Sequence, residues 1–436
     1  MKTRPEKRLT PALALVLLAM LLLAMAGSAC APIRSSRILT VGIYAGSYWG
    51  TPTGDSYKVL DDTISRFAEE HPEIRVEYVS GIGTDAYSEW LAQQILKGAE
   101  PDVYFILPED FNLLVSSGAL EPLDEFITAD ADFDVSAYYD ACLLAGVYEN
   151  CQYALPYESV PTMMFVNKTI LDEHGIAVPN NDWTWEDLYE ICAQVTDVES
   201  HRFGIYDYDW VNALYSNGAD LFSENGGACY LSDGKIQESI RFVQRLEELN
   251  EGYNVTSRDF DLGRVAFRPF LFSEYRAYQP YPWRVKKYSG FEWECVCMPA
   301  GPSGGNASEL STMLLGISSR SRNTELAWEF VKLLSYDEDT QRELYTNSHG
   351  ISPLTAVAES EDTLQQLYDS IPGSVNFSAE VIGDIMRTAV IMPRFDKYDQ
   401  ALAMAQSAVA ETFSNGDVLQ SRLQRAQREI NIYLNR

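Results

Sequence analysis

The sequence predicts an α/β protein built on a parallel, doubly wound sheet, and three observations point there. Short apolar runs alternate with amphipathic helical stretches from residue 38 onward. Proline and glycine fall between the runs, where turns belong. The first three runs follow in β-α-β-α-β order, which right-handed crossovers turn into neighbouring parallel strands. Residues 38–44 (I-L-T-V-G-I-Y) read as a buried strand that ends in a Gly/Ser/aromatic loop at 45–55. Residues 56–71 read as a helix with Leu60, Ile64 and Phe67 on one face, stopped by Pro72. Residues 74–78 alternate as a strand, 85–98 form an amphipathic helix carrying Trp90, Leu91 and Ile95, and 103–107 are a short buried strand. Ligands in such sheets bind outside the carboxyl ends of the strands. That rule directs loops 45–55, 80–84 and 108–111 to one crevice.

The chain has 436 residues, enough for two or three domains, and 33 Lys or Arg against 63 Asp or Glu give a net charge of −30. Nucleic acid is thereby disfavoured as a partner, since phosphate contacts need clustered cations; an anionic membrane surface is disfavoured for the same reason. At the amino terminus Lys2, Arg4, Lys7 and Arg8 precede an apolar run from Leu9 to Ala26, then Gly27, Ser28, Ala29 and Cys30. This is the layout of a signal peptide over residues 1–29. A Cys directly after small residues resembles the bacterial lipoprotein lipobox, which implies a lipidated Cys30 and a tether over 30–37. Gly27 stands where that pattern usually has an aliphatic residue. Cleavage after Ala29 without lipid and an uncleaved anchor are the other readings.

Six further cysteines permit three disulfides, and the short spacing from Cys142 to Cys151 favours that pair. Cys295 and Cys297 point to opposite faces of a strand, so neither is the other's partner. No zinc spacing appears, and no H-E-x-x-H or phosphate-loop string. Asp130, Asp132 and Asp134 imitate the start of a calcium loop, but Val135 and Ala141 replace its glycine and final glutamate. The expectation is a binding protein without metal or cofactor, not an enzyme. A pair of carboxylates flanking a glycosidic bond would be the route to the rival, a glycoside-active enzyme.

Several blocks together carry a family resemblance. F-A-E-E-H-P-E-I-R-V-E-Y-V-S-G (Phe67–Gly81), P-D-V-Y (Pro101–Tyr104), G-A-L-E-P-L-D (Gly118–Asp124) and L-P-Y-E (Leu155–Glu158) come first. V-N-K-T-I-L-D-E-H-G-I (Val166–Ile176), D-W-T-W-E-D-L (Asp182–Leu188), Y-P-W-R (Tyr281–Arg284), M-P-A-G-P-S-G-G (Met298–Gly305), Gly316–Leu334 and I-M-P-R-F (Ile391–Phe395) follow. In order and spacing they resemble the family 1 extracellular solute-binding proteins, the binding components of sugar-type ABC importers. The resemblance implies a two-lobed, type II periplasmic-binding fold, each lobe a sheet flanked by helices and joined by hinge segments. Mapped by order, lobe one is 38–157 plus 310–352 and lobe two is 158–309 plus 353–436. It implies a lipid-anchored monomer outside the cytoplasm that hands a mono- or oligosaccharide to a membrane permease. A module feeding sugar binding to a receptor is the other use of such a fold.

Sugar recognition needs an aromatic face over the C–H side of the ring and polar ends along its hydroxyl rim. Tyr44 and Trp49 lie at and beyond the first strand's end, and Tyr157 and Glu158 stand at the first hinge crossing. Glu109 and Asp110 are the carboxylates expected to meet Glu158 across the cleft. By resemblance, Trp210 belongs to a substrate-lining segment, Trp283 in P-Y-P-W-R is the aromatic platform, and Arg394 is a lobe-two cleft residue. Ser311 and Thr312 offer hydroxyls at the return crossing, and His349 approaches the cleft by topology. Tyr44 and Trp210 read equally as core, and Arg394 as a salt-bridge residue. Trp183 and Trp185, at a helix start, read as packing.

Overall fold

The computed structural model describes residues 37–49, 57–277, 291–369, 378–391, 395, 397–415 and 419–436. Cys30, Trp283 and Arg394 lie outside them. Among the described residues there are ten strands: β1 (Arg37–Gly42), β2 (Ile74–Tyr78), β3 (Val103–Ile106), β4 (Val147–Tyr148), β5 (Cys151–Gln152), β6 (Ala154–Asn167), β7 (Phe203–Ile205), β8 (Val265–Leu271), β9 (Trp293–Val296) and β10 (Leu310–Ile317). The helices used below are α1 (Lys58–Glu70), α2 (Thr84–Lys97), α3 (Phe111–Ser116), α4 (Asp140–Leu144), α5 (Trp185–Val195), α6 (Trp210–Ser216), α7 (Gly234–Glu248), α8 (Phe272–Ala277), α9 (Thr324–Ser335), α10 (Glu338–Asn347) and α11 (Tyr398–Asn415).

The βαβαβ start forms as its pattern predicts. β1 pairs in parallel with β2 on one side and β3 on the other. α1 ends before Pro72, and α2 ends on left-handed Gly98, whose N–H caps the Gln94 and Ile95 carbonyls. The rest of the architecture turns on β6. Its first half pairs with β10, which itself lies antiparallel against β3. Its second half is flanked by β8 on one edge and β9 on the other, with β7 beyond β8. One strand thus belongs to both sheets, β2-β1-β3-β10-β6 and β7-β8-β6-β9. All 14 of its residues are buried, Glu158, Ser159, Thr162 and Asn167 included, so neither face of the strand meets solvent.

Two hydrophobic cores result. One gathers β1, β3, β10, α1, α9 and α10, with Phe67 edge-on to Phe330 at 5.2 Å. The other gathers α5, α6, α7 and α11 around Trp183, Trp185 and Phe267. In the second half of β6, Met163 and Phe165 face the first core and Met164 and Val166 the second, the strand's alternation serving both. Thr184 caps α5 in a reciprocal box with Asp187, and Trp185 stacks on Phe242 at 4.4 Å with 2° between the planes. The packing role expected for Trp183 and Trp185 agrees with their burial at 3% and 5% exposure.

The expected Cys142–Cys151 bridge does not form. Cys142 on α4 turns inward, with its sulfur 3.2 Å from the Ser159 hydroxyl, while the Cys151 thiol in the β4–β5 hairpin donates to Asp124 at 2.7 Å. All six cysteines among the described residues are free. Asp130, the first aspartate of the calcium-loop imitation, accepts from Trp328 Nε1 at 3.0 Å and Lys332 Nζ at 2.6 Å, tying its loop to α9. Among the described residues no helix is long and apolar enough to cross a membrane.

Candidate functional site

The three loops assigned to one crevice do converge. Beyond Gly42 and Tyr104, β1 and β3 part, and the Tyr87 hydroxyl donates to both Gly42 O (2.9 Å) and Phe105 O (2.8 Å), holding the split ends. Ala45 N donates to Ile82 O at 2.6 Å, joining the first loop to the second. The Tyr48 hydroxyl donates to Glu109 at 2.7 Å, joining it to the third. Asp110 precedes α3 and accepts from Ser88 Oγ at 2.6 Å. Burial raises its pKa, against the lowering effect of that hydroxyl, and Glu109 raises it further.

The hinge strand delivers its side chains through an irregularity. On β10, Met313 pairs with Glu158 but Leu314 pairs with Pro156, so Tyr157 is an extra residue in the ladder. In a regular strand Tyr157 and Glu158 would face opposite sides. The bulge re-aims them, and both line one pocket with Tyr44, Ser47, Phe105, Asn347, Ser348 and His349. Ser159 continues the crossing, exchanging both backbone hydrogen bonds with Ile351. Three segments of chain therefore meet at the pocket floor.

Glu158 is the hub of this floor. Its carboxylate accepts from Trp49 Nε1 at 2.6 Å, from the Ser348 hydroxyl and from Gly350 N. Burial raises its pKa, opposed by Ser348, Trp49, Gly350 and the nearby Arg276 guanidinium. Arg276, from α8, donates to the carbonyls of Tyr345 and Ser348, bracing the third segment from the second sheet's side. A Cβ at Gly350 would lie 2.8 Å from Glu158 Oε2, so glycine is what lets the segment close on the carboxylate. Burial, with Arg276 second, lowers the His349 pKa to about 4.

The remaining predicted residues separate. Trp49 is 8% exposed, packed edge-on to Tyr48 with its N–H taken by Glu158. Tyr44 sits edge-on to Tyr87 and Phe105 while also lining the pocket. Thr312 is fully buried, its hydroxyl 3.0 Å from Ser159 Oγ inside the hinge, and Ser311 pairs with Val160. Trp210 opens α6 and lines a different hollow, between residues 205–210, α7 and α11. Arg276, Asn347 and Ser348 escaped sequence reasoning. The Ser-His-Gly string at 348–350 was the available signal, since a glycine at a crossing marks close backbone approach.

Glu309, just before β10, was missed as well. Burial pushes its pKa up to about 7, with neighbouring Asp209 second; Tyr215 and Tyr398 also feel its charge. Its folded-state pKa lies above the ordinary 4.5, so the folded chain holds a proton that the unfolded chain releases. Stability from this group is full below pH 4.5 and is lost as pH rises through 7. Glu309→Gln is therefore expected to stabilise the protein by roughly 2–3 kcal/mol at pH 8 and by nothing at pH 4. Urea denaturation at the two pH values checks it; equal gains at both would remove Glu309 as the cause.

Comparison with known proteins places this geometry. A family described as bacterial extracellular solute-binding protein matches residues 50–341. The maltotriose-binding protein of Pyrococcus abyssi is 22% identical over 340 residues, covering 72% of this chain and 66% of its own. Among solved structures, the cyclic α-maltosyl-1,6-maltose binding protein of Arthrobacter globiformis superposes with TM-score 0.75 at 16% identity, over 91% of this chain and 98% of that one. The sugar-binding protein MalE of Xanthomonas citri gives 0.74 at 15%, over 91% and 97%. The fold is theirs: two lobes, each a helix-flanked sheet.

Proposed function

The chain belongs to the bacterial extracellular solute-binding protein family, and on that premise we propose that it captures a carbohydrate between its lobes and delivers it to an ABC importer. The observation that carries this reading is the pocket at the carboxyl ends of β1 and β3, floored by the hinge strand and rimmed by Tyr44, Tyr157, Ser47 and His349. Aromatic walls beside hydroxyl, amide and imidazole groups are the chemistry a sugar needs. Relatives and neighbours whose names specify maltotriose and cyclic maltosyl-maltose support the ligand class.

Lobe one is then 38–157 plus 310–352, lobe two is 158–309 plus 353–436, and the chain works as a clamp without turnover. Closure about a ligand follows from that division. Isothermal titration with maltotriose and arabino-oligosaccharides, each followed by small-angle scattering, tests it. Saturable heat without product release and a smaller radius of gyration are expected; an unchanged radius at saturation counts against a clamp. Trp283 is the proposed platform, with Arg394 on the lobe-two side. Trp283→Ala should weaken binding about ten- to two-hundred-fold with an unaltered ligand-free melting temperature. A lowered melting temperature with affinity intact would make it a packing residue. The anchor is a lipidated Cys30 facing the permease from outside the membrane, and intact mass with a free N-terminus at another residue would contradict it.

A further inference from the structure

We propose that Arg276 is a latch between the lobes: it shapes the pocket wall at 347–349 only while lobe two stands against lobe one, and so slows release of a bound ligand. The latch rests on the clamp and the division into lobes proposed above. It adds the residue that makes closure and pocket shape depend on each other.

Arg276 is placed unlike the other charged side chains. Among the described residues, ion pairs stay within one proposed lobe, as Arg66 with Asp337 in lobe one and Arg245 with Glu186 in lobe two. Arg276 reaches across. It is carried by α8 of lobe two, and the carbonyls it donates to, those of Tyr345 and (at 3.2 Å) Ser348, belong to lobe one. Its charge also acts on Glu158 at the first crossing. α8 is a firm base for this reach. It follows β8 directly, Leu271 N donates to Glu274 in its first turn at 3.0 Å, and Phe272 and Tyr275 are buried.

What Arg276 reaches is the end of a helix. Tyr345 lies in the last turn of α10, where carbonyls find no N–H within their own helix, and Ser348 is the cap. A guanidinium there meets the negative end of the helix dipole and spans two carbonyls with one planar group. Asn347, Ser348 and His349, beside those carbonyls, line the pocket, and the Ser348 hydroxyl donates to Glu158. Pinning the two carbonyls therefore pins the wall and one of the donors on which Glu158 depends.

Energetics give the coupling its direction. Burial disfavours the Arg276 charge, and a buried cation is held only where hydrogen bonds and countercharge replace its water. Two carbonyls and Glu158 do so here, in this arrangement of the lobes. Parting the lobes returns the guanidinium to water and strips Tyr345 and Ser348 of their donor in one step, so the wall loosens as the cleft opens.

Small-angle scattering and stopped-flow titration of the intact protein, with maltotriose as the probe, test the latch. Folded, ligand-free Arg276→Met is expected to have a larger radius of gyration than ligand-free wild type. Its maltotriose dissociation rate should rise about tenfold or more, the contribution of a hydrogen bond to a charged group, while the association rate changes far less. Arg276→Lys keeps the charge but spans one carbonyl at a time, so it should fall between the two. A residue that only stabilised the fold would lower the melting temperature without moving the ligand-free radius. Equal ligand-free radii for wild type and Arg276→Met, or an affinity loss carried by the association rate alone, would overturn the latch. A larger radius in a protein that binds neither maltotriose nor arabino-oligosaccharides keeps the latch and removes the carbohydrate reading. If the methionine variant does not fold, Arg276→Gln, neutral and shorter, decides by the same two measurements.

Discussion

Glu158→Ala is expected to lower the unfolding free energy by about 3–5 kcal/mol, the range for breaking a buried charged group away from its partners. The reason is the number of donors it leaves behind. The Trp49 indole N–H, the Ser348 hydroxyl and the Gly350 amide all terminate on this carboxylate. None can turn to bulk water without opening the floor where three chain segments meet. Arg276 would also lose a countercharge that offsets part of its burial. Glu158→Gln keeps an acceptor oxygen and should lose less than half as much. Guanidinium denaturation of both variants makes the comparison. If the alanine variant is as stable as wild type, the carboxylate is not holding the floor and is free to meet ligand, as sequence reasoning had it.

Trp185→Ala is expected to cost about 3–5 kcal/mol by deleting a large buried side chain whose surroundings relax only in part. Its indole stacks on Phe242, and its N–H donates to Ser216 Oγ at 3.1 Å, so α5, α6 and α7 all lose contact together. Because these helices belong to the second core and not to the hinge pocket, sugar affinity at temperatures where the variant stays folded should not move. Denaturation and titration on the same sample separate the two effects. A large loss of affinity without loss of stability would reverse the assignment and put Trp185 at the ligand.

What was legible in the sequence was local. β1, α1, β2, α2 and β3 are each signalled by a run, a period and a stop, such as Phe67 on its face and Pro72 behind it. The capping of α5 is written in Thr184 and Asp187. Tyr44, Tyr157, Glu158 and His349 were named and do gather in one pocket. The departures arise where one residue serves a distant partner. Nothing near Thr312 says that its hydroxyl will face Ser159 rather than the cleft. Nothing in the spacing of Cys142 says that α4 will turn it toward the same serine. Trp49 sits in a loop that looks open, yet a glutamate from the hinge strand draws its indole inward. Arg276 lies on a short helix of the other sheet and reaches the site from a distance, through the Tyr345 and Ser348 carbonyls and through its charge on Glu158.

The shared strand also governs the order in which the polypeptide can mature. The first sheet is not complete when β3 and the first half of β6 have been made, because β10 must still be inserted between them. β10 comes after the whole of the second sheet in the chain. A nascent chain leaving the ribosome therefore cannot finish its amino-terminal half first, contrary to the usual domain-by-domain sequence. Until β10 arrives, β3 and β6 expose unpaired edges that other chains can join. High sequence separation between pairing strands also slows folding. The first sheet can therefore close only after residues 310–317, in the last third of the chain, have been made.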